Sequence, residues 1–95
     1  MVDKIKIGDQ NYSVRIDRGL VYDTDNIGQI DYRKAKIRVA PELSEQLTHN
    51  VLVHEAIHGM MYFMGFVDHE EDTVIRIANG LCMLIKDNPK LFSLK

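Results

Sequence analysis

The segment from residue 51 to residue 62 reads VLVHEAIHGMMY, and it contains an H-E-x-x-H motif, His54 to His58, among apolar residues. If this segment is a helix, His54 and His58 lie one turn apart on the same face, because residues four apart are neighbours there. Two imidazoles at this spacing can bind one zinc ion, and Glu55 can then reach a water molecule on that ion. The alternative is a pair of hydrogen-bonded core histidines, but the motif and its helical setting favour a metal site.

The composition predicts a single small soluble domain over residues 1–95. The chain is 45% hydrophobic and 27% charged, and these are ordinary values for a globular protein of this length. A net charge of −2 gives no electrostatic support for binding to nucleic acid or to an anionic membrane. Cys82 is the only cysteine, which excludes an internal disulfide and indicates a reducing compartment. Because we find no signal-peptide core and no apolar run of membrane-spanning length, we expect a cytoplasmic protein.

Four short segments of alternating polarity predict a small, mostly antiparallel sheet. Residues 4–7 and 12–16 alternate in this way around a turn sequence, and they predict a hairpin. Residues 27–32 and 36–40 predict a second hairpin, although the loop between them lacks the glycine usual there. Residues 17–26 are mostly polar and predict a surface loop.

The pattern becomes helical at Ser44, a suitable N-cap, and stays helical to about residue 64, before Gly65. Apolar residues cover nearly the whole circumference of this helix, so we expect it to be central and buried. Three methionines near its end are expected to fill the core: Met60, Met61 and Met64.

A second helical pattern runs to about residue 86, with Cys82 on its apolar stripe. The expected fold is therefore α+β, with the sheet packed on the central motif helix and a second, C-terminal helix completing the site. His49 projects away from both motif histidines and is expected on the surface.

A catalytic zinc ion usually has three protein ligands and one open position. Four residues between the two helical patterns compete for the third place: Asp68, His69, Glu70 and Glu71. Asp68 followed by Glu71 also resembles an N-terminal capping box, which is the structural alternative. Spacing leaves all four candidates open, because both glutamates project near the apolar stripe.

A motif helix followed by a second helix with an acidic residue near its start resembles the gluzincin branch of zinc metallopeptidases. More narrowly, the chain resembles the small phage and prophage proteins related to the ImmA/IrrE-type metallopeptidases and the minigluzincins. The resemblance covers roughly residues 27–88 and depends on His54-Glu55-x-x-His58 and, more loosely, on residues 71–79. It implies that the third ligand is Glu71.

The resemblance implies a zinc-dependent metallopeptidase that hydrolyses a peptide bond in a protein or peptide substrate. Glu55 would activate the zinc-bound water as general base, and the strand over residues 27–32 would bind the substrate by strand addition. The implied Zn²⁺ ligands are His54, His58 and Glu71. Four residues remain open as the oxyanion stabiliser: Tyr32, His49, Tyr62 and His69.

The competing class is a zinc-stabilised binding or regulatory module of phage origin without turnover, because so small a domain can need a metal to fold. Glu55 favours the enzyme, since a structural site does not need it as a ligand. The chain also offers no cysteine cluster for a closed four-ligand site.

Overall fold

The computed structural model describes residues 1–20, 26–66 and 68–93. These residues form an α+β structure in which a four-stranded sheet packs against helices, so the predicted fold class is confirmed at this level. The elements in chain order are β1 Lys4–Ile7, β2 Gln10–Ile16, β3 Gly28–Asp31, β4 Lys36–Val39, α1 Glu45–Phe63, α2 Glu71–Asp87 and a short 3₁₀ helix, Pro89–Phe92.

The strand order in the sheet is β1-β2-β4-β3. Both predicted hairpins are confirmed, because β1 pairs with β2 and β3 pairs with β4 in antiparallel fashion. The central pair differs, since β2 and β4 run parallel with Val14 opposite Ile37. The sheet is therefore mixed. Alternating polarity identifies strands, but it does not show which strand of one hairpin pairs with which strand of the other.

The loop between β3 and β4 turns without a glycine. Ala35 takes the left-handed conformation, with φ at 52°, that a glycine usually supplies. The Asp31 carboxylate accepts hydrogen bonds from the backbone N–H groups of Arg33 and Lys34, both at 3.0 Å. These bonds lower the pKa of Asp31, with the bond from Lys34 as the largest cause.

Both predicted ends of α1 are confirmed. The Ser44 hydroxyl accepts a hydrogen bond from the backbone N–H of Leu47 at 3.1 Å, and Gly65 follows the helix with φ at 96°. The helix covers one face of the sheet, and the core between them is apolar. Its buried residues are Tyr12, Val14, Ile37, Val39, Val51 and Leu52.

The helix approaches the sheet closely at Gly59. A Cβ atom at this position would lie 2.6 Å from Ile7 Cδ1 and 3.0 Å from Ile30 Cδ1. The absence of a side chain at residue 59 therefore allows α1 to lie close to the sheet directly after the motif, which ends at His58.

The prediction that α1 is buried on all sides is wrong for its C-terminal end. Met60 and Met64 are 42% and 53% exposed, and Phe63 is 64% exposed, so two of the three methionines do not fill the core. Met61 does pack against the contact between the two helices. Four short strands and one further helix cover only part of the circumference, and the apolar pattern does not reveal how much chain is available to cover it.

The second helix packs on α1 through Val74 and Ala78, which contact the buried Ile57. Cys82 is buried as predicted, whereas Ile75 is 42% exposed. The helix ends at Asp87, and the short 3₁₀ helix Pro89–Phe92 follows it. Within the described ranges, no helix is both long and apolar enough to cross a membrane.

The predicted surface loop over residues 17–26 is described only in part, because residues 21–25 lie outside the described residues. Asp17 accepts hydrogen bonds from the backbone N–H of Gly19 at 2.8 Å and from the Arg38 side chain at 3.0 Å. Leu20 is completely buried, which its polar neighbours in the sequence do not indicate.

Candidate metal centre

Three side chains with metal-binding atoms converge between the two helices. His54 and His58 come from adjacent turns of α1, and Glu71 is the first residue of α2. The two Nε2 atoms lie 3.2 Å apart, and the Glu71 carboxylate places one oxygen 2.5 Å from His54 Nε2 and the other 2.9 Å from His58 Nε2. Each residue offers one ligand atom within 4.8 Å of the other two. The sequence-predicted set of ligands is therefore brought together.

The donor set fits a zinc ion. Two imidazole nitrogens and a carboxylate oxygen are ligands that zinc accepts, at distances of about 2.0–2.2 Å. Ligand atoms on one tetrahedral ion then lie roughly 3.3 Å apart, so Glu71 would have to move outward by less than ~1 Å. Its side chain is 60% exposed and can make this shift, whereas those of His54 and His58 are 19% and 13% exposed. The cluster thus has a buried side formed by α1 and an open side towards solvent.

The other candidates for the third ligand lie outside this cluster. Asp68 and Glu70 are exposed, and the metal-binding group found among the described residues includes neither. The capping-box alternative is wrong, because the N-cap of α2 is Glu70 rather than Asp68 and makes no side-chain cap hydrogen bond. The Glu71 carboxylate is instead directed at the two histidines.

His69 contacts His58 on the side of the ring opposite Glu71. Its Nε2 atom lies 2.7 Å from His58 Nδ1, the ring nitrogen that points away from Glu71. Its Nδ1 atom lies 2.7 Å from the backbone carbonyl oxygen of Phe66. The sequence allows His69 as a ligand or as an oxyanion stabiliser, but it does not reveal this arrangement, which depends on how the chain turns between the helices.

Glu55 is a buried carboxyl beside the cluster. It is only 7% exposed, and burial, with the charge of Glu71 as a smaller cause, raises its pKa from 4.5 to about 7. A Cβ atom at Gly28 would lie 3.0 Å from Glu55 Oε2 and 2.5 Å from Val51 Cγ1. The backbone of β3 therefore packs directly on this carboxyl. A glycine inside a strand pattern is the signal for such an approach, and the sequence analysis did not use it.

Burial also acts on the second histidine of the motif. It lowers the pKa of His58, with the neighbouring His54 and His69 as smaller causes in the same direction and Glu71 opposing them. The neutral imidazole is therefore favoured in the absence of a metal, and it is the form that binds one.

A cavity of about 440 Å³ connects the cluster with the edge of the sheet. Its lining includes His54, Glu55, His58 and Glu71 on one side, and Gly28, Gln29, Ile30 and Tyr32 on the other. The predicted strand over residues 27–32 is thus observed as β3, the edge strand beside the motif.

Of the four candidates for oxyanion stabiliser, Tyr32 lines this cavity. Burial and the charge of Glu55, in that order, are the main causes that raise its pKa, so its hydroxyl keeps its proton. The ring of Tyr62 stacks on the Tyr32 ring at 4.1 Å and supports it. His69 is held against His58, and His49 is exposed as predicted, on a groove with Leu52 and Val53.

Comparison of the chain with protein-family models, with curated proteins and with solved structures found no match. The family resemblance of the motif therefore stays a prediction, and the function has to be argued from the geometry of the site.

Proposed function

We propose that the protein is a zinc-dependent metallopeptidase of the gluzincin type that hydrolyses a peptide bond in a protein or peptide substrate. The observation that carries the proposal is the convergence of His54, His58 and Glu71, with a buried glutamate, Glu55, lining the same cavity. The sheet, the motif helix and the second helix would then form a minimal zincin domain.

The two neutral imidazoles and the Glu71 carboxylate would hold the ion and leave a position open on the solvent side. A zinc ion in such a site lowers the pKa of a bound water molecule to about 7 and polarises a carbonyl group. The α1 scaffold keeps both histidines on one face and largely out of solvent, so these two ligands are already oriented before the ion arrives.

Glu55 is proposed as the general base and then the general acid. It takes a proton from the attacking water and delivers that proton to the nitrogen of the leaving amine, so the carboxylate is regenerated in each turnover. Without a metal, burial and the charge of Glu71 raise the pKa of this carboxyl to about 7, and a bound zinc ion would lower it again towards the ionised form that a general base needs. The close approach of the Gly28 backbone limits the space on that side of the carboxyl.

Tyr32 and β3 are proposed to bind the substrate. The Tyr32 hydroxyl donates to the backbone carbonyl oxygen of His58 at 3.5 Å, and it could exchange this long hydrogen bond for one to the carbonyl oxygen on which negative charge develops. One edge of β3 pairs with β4, and among the described residues no strand pairs with its other edge, where an extended peptide could add. A peptide bound there would lie along the cavity that contains Glu55.

Glu55 also favours turnover over a purely structural role for the metal. Burying a carboxyl group raises its pKa and costs stability, and zinc binding does not require it as a ligand. A carboxyl group at residue 55 therefore favours a chemical role, because a neutral side chain there would give a more stable domain.

The test compares the wild-type protein with Glu55→Gln and the control Glu70→Gln. Zinc content is measured by elemental analysis, and hydrolysis is measured by mass spectrometry on a complex peptide mixture. We expect about one zinc per chain in all three proteins, and cleavage by the wild type and Glu70→Gln. Glu55→Gln should lose about 10²–10⁴-fold in rate. A zinc-loaded wild type that is inactive on every peptide, like Glu55→Gln, would instead support the zinc-stabilised binding module.

A further inference from the structure

We infer that His69 is a positioning residue that fixes the ring orientation and the tautomer of His58, so that His58 Nε2 presents its lone pair to the metal. The inference rests on the proposed zinc site and assigns to it a residue outside the H-E-x-x-H motif. Two hydrogen bonds, from His69 to the Phe66 carbonyl and between His69 and His58, determine where the hydrogen on each ring lies.

The first hydrogen bond fixes the proton on His69. The backbone carbonyl oxygen of Phe66 can only accept, so His69 Nδ1, 2.7 Å away, carries the hydrogen and donates it. A neutral imidazole has a single N–H group. His69 Nε2 therefore has a free lone pair and acts as an acceptor.

The second hydrogen bond determines which nitrogen of His58 carries the hydrogen. His69 Nε2 lies 2.7 Å from His58 Nδ1, and because His69 Nε2 accepts, His58 Nδ1 must donate. The neutral His58 ring then carries no hydrogen on Nε2. That atom faces Glu71 Oε2 at 2.9 Å and His54 Nε2 at 3.2 Å. Electron-pair donors that converge in this way are stabilised by a cation between them.

His69 is poorly placed to be a ligand itself, because both of its ring nitrogens are already engaged. It also connects the two halves of the site. Phe66 follows the end of α1, and Glu71 begins α2 two residues after His69. The same side chain thus ties the turn between the helices to the second histidine of the motif. Partners of this kind orient metal-binding histidines and strengthen them as ligands.

Two amide substitutions separate the orienting role from a purely structural one. In His69→Gln, the amide oxygen can reach the place of Nε2 and accept from His58 Nδ1. In His69→Asn, the shorter side chain reaches only the place of Nδ1, so it can donate to the Phe66 carbonyl without contacting His58. His69→Ala removes both hydrogen bonds, and His49→Gln changes an exposed histidine on α1 as a control.

The experiment measures the zinc dissociation constant of each metal-free protein by competition with a chromophoric chelator, and records the absorption spectrum of each Co²⁺ form. We expect His69→Ala and His69→Asn to bind zinc about 10–100-fold more weakly, with His69→Gln recovering most of the loss. His49→Gln should bind as the wild type does, and the Co²⁺ spectrum of His69→Gln should match that of the wild type.

Each other outcome has a defined meaning. If His69→Ala and His69→Asn bind zinc as tightly as the wild type, the positioning role is overturned while the zinc site stands. If His69→Gln is as weak as His69→Ala and its Co²⁺ spectrum is changed, His69 is a ligand and the inference is wrong. A wild-type protein that binds no zinc overturns the proposed function, and this inference with it. If His69→Ala does not fold by circular dichroism, the comparison of His69→Asn with His69→Gln decides the question.

Discussion

The two helices are similar in length, with 19 and 17 residues, but they contribute to the site in different ways. In α1 the functional residues lie in the middle of the helix, where the sheet and the partner helix hold them. In α2 the single proposed ligand, Glu71, is the first residue and has a side chain that is 60% exposed. The spacing within α1 follows from helix geometry alone, whereas the meeting of Glu71 with α1 depends on how the two helices pack.

This difference teaches where the site is rigid and where it can adapt. His54 and His58 lie on a packed helix, so we expect their positions to change little when an ion binds. Glu71 can move outward to the distance that a bound ion requires, because neither the core nor a cap hydrogen bond holds its side chain. The first prediction tests this division directly.

Removal of the α2 ligand should have the largest effect. Glu71→Ala leaves zinc with only two protein ligands, so we expect its affinity to fall by at least about 100-fold, beyond the usual effect of an outer partner. At a zinc concentration 100 times the wild-type dissociation constant, the wild type should gain about 2.7 kcal/mol of stability, and Glu71→Ala should gain at most about 0.4 kcal/mol. Chelator competition and thermal unfolding measure the two quantities.

The matched control is Glu70→Ala, which removes the neighbouring exposed carboxylate. It should keep both the zinc affinity and the zinc-dependent stability of the wild type. Loss of zinc in Glu70→Ala together with retention in Glu71→Ala would reverse the assignment of the ligand.

The buried glutamate of α1 should make the stability of the metal-free protein depend on pH. Its folded pKa of about 7 lies above the ordinary 4.5, so the folded state binds the proton more tightly than the unfolded state. This contribution to stability is fully present below about pH 4.5 and is lost as the pH rises to 7. The free energy of unfolding of Glu55→Gln should therefore rise relative to that of the wild type as the pH increases. The difference should reach at most about 3 kcal/mol above pH 7.

Urea unfolding of both proteins at several values between pH 5 and pH 8 measures this difference. The lowered pKa of His58 acts in the opposite direction below pH 6.5, but it is present in both proteins and largely cancels. A difference between the two proteins that stays constant over this range would contradict a raised pKa for Glu55.

One glycine in each helix tests how closely that helix is packed. Alanine at Gly59 would place its Cβ within 3.0 Å of two isoleucine side chains of the sheet, so we expect a loss of about 1–3 kcal/mol. Alanine at Gly80 meets no atom within 4 Å and should stabilise α2 by about 0.5–1 kcal/mol. Denaturant unfolding of the two variants measures both effects. A stabilised Gly59→Ala variant would show that α1 does not approach the sheet this closely.

The smallest effect is expected on the exposed face of α2. Arg76 and Asp72 form an ion pair at 3.1 Å with both side chains mostly exposed, so Arg76→Ala should change the free energy of unfolding by less than about 0.5 kcal/mol. Zinc affinity should stay unchanged. A loss of zinc in this variant would mean that the outer face of α2 helps to position Glu71.

The sequence predicted the local features of the molecule well. The four strands, both hairpins, the Ser44 cap and the shared face of His54 and His58 all depend on residues close together in the chain. Glu71 was different, because spacing left four candidates and only the family resemblance chose among them. Its contact with the histidines depends on the packing of one helix on another.

The features that the sequence did not reveal depend on contacts between distant segments. The parallel pairing of β2 with β4 follows from the side on which the second hairpin packs. The exposure of Met60 follows from how little chain is available to cover α1. The hydrogen bonds of His69 require the turn between the helices to bring two histidines eleven residues apart into contact.

The most direct test of the account is anomalous diffraction at the zinc absorption edge from crystals of the zinc-loaded protein. We expect one peak per chain, bound by the Nε2 atoms of His54 and His58 and by the Glu71 carboxylate, with His69 still hydrogen-bonded to His58 Nδ1. A zinc ion bound by His69 or Glu70 in place of Glu71, or bound away from the motif, would contradict the account.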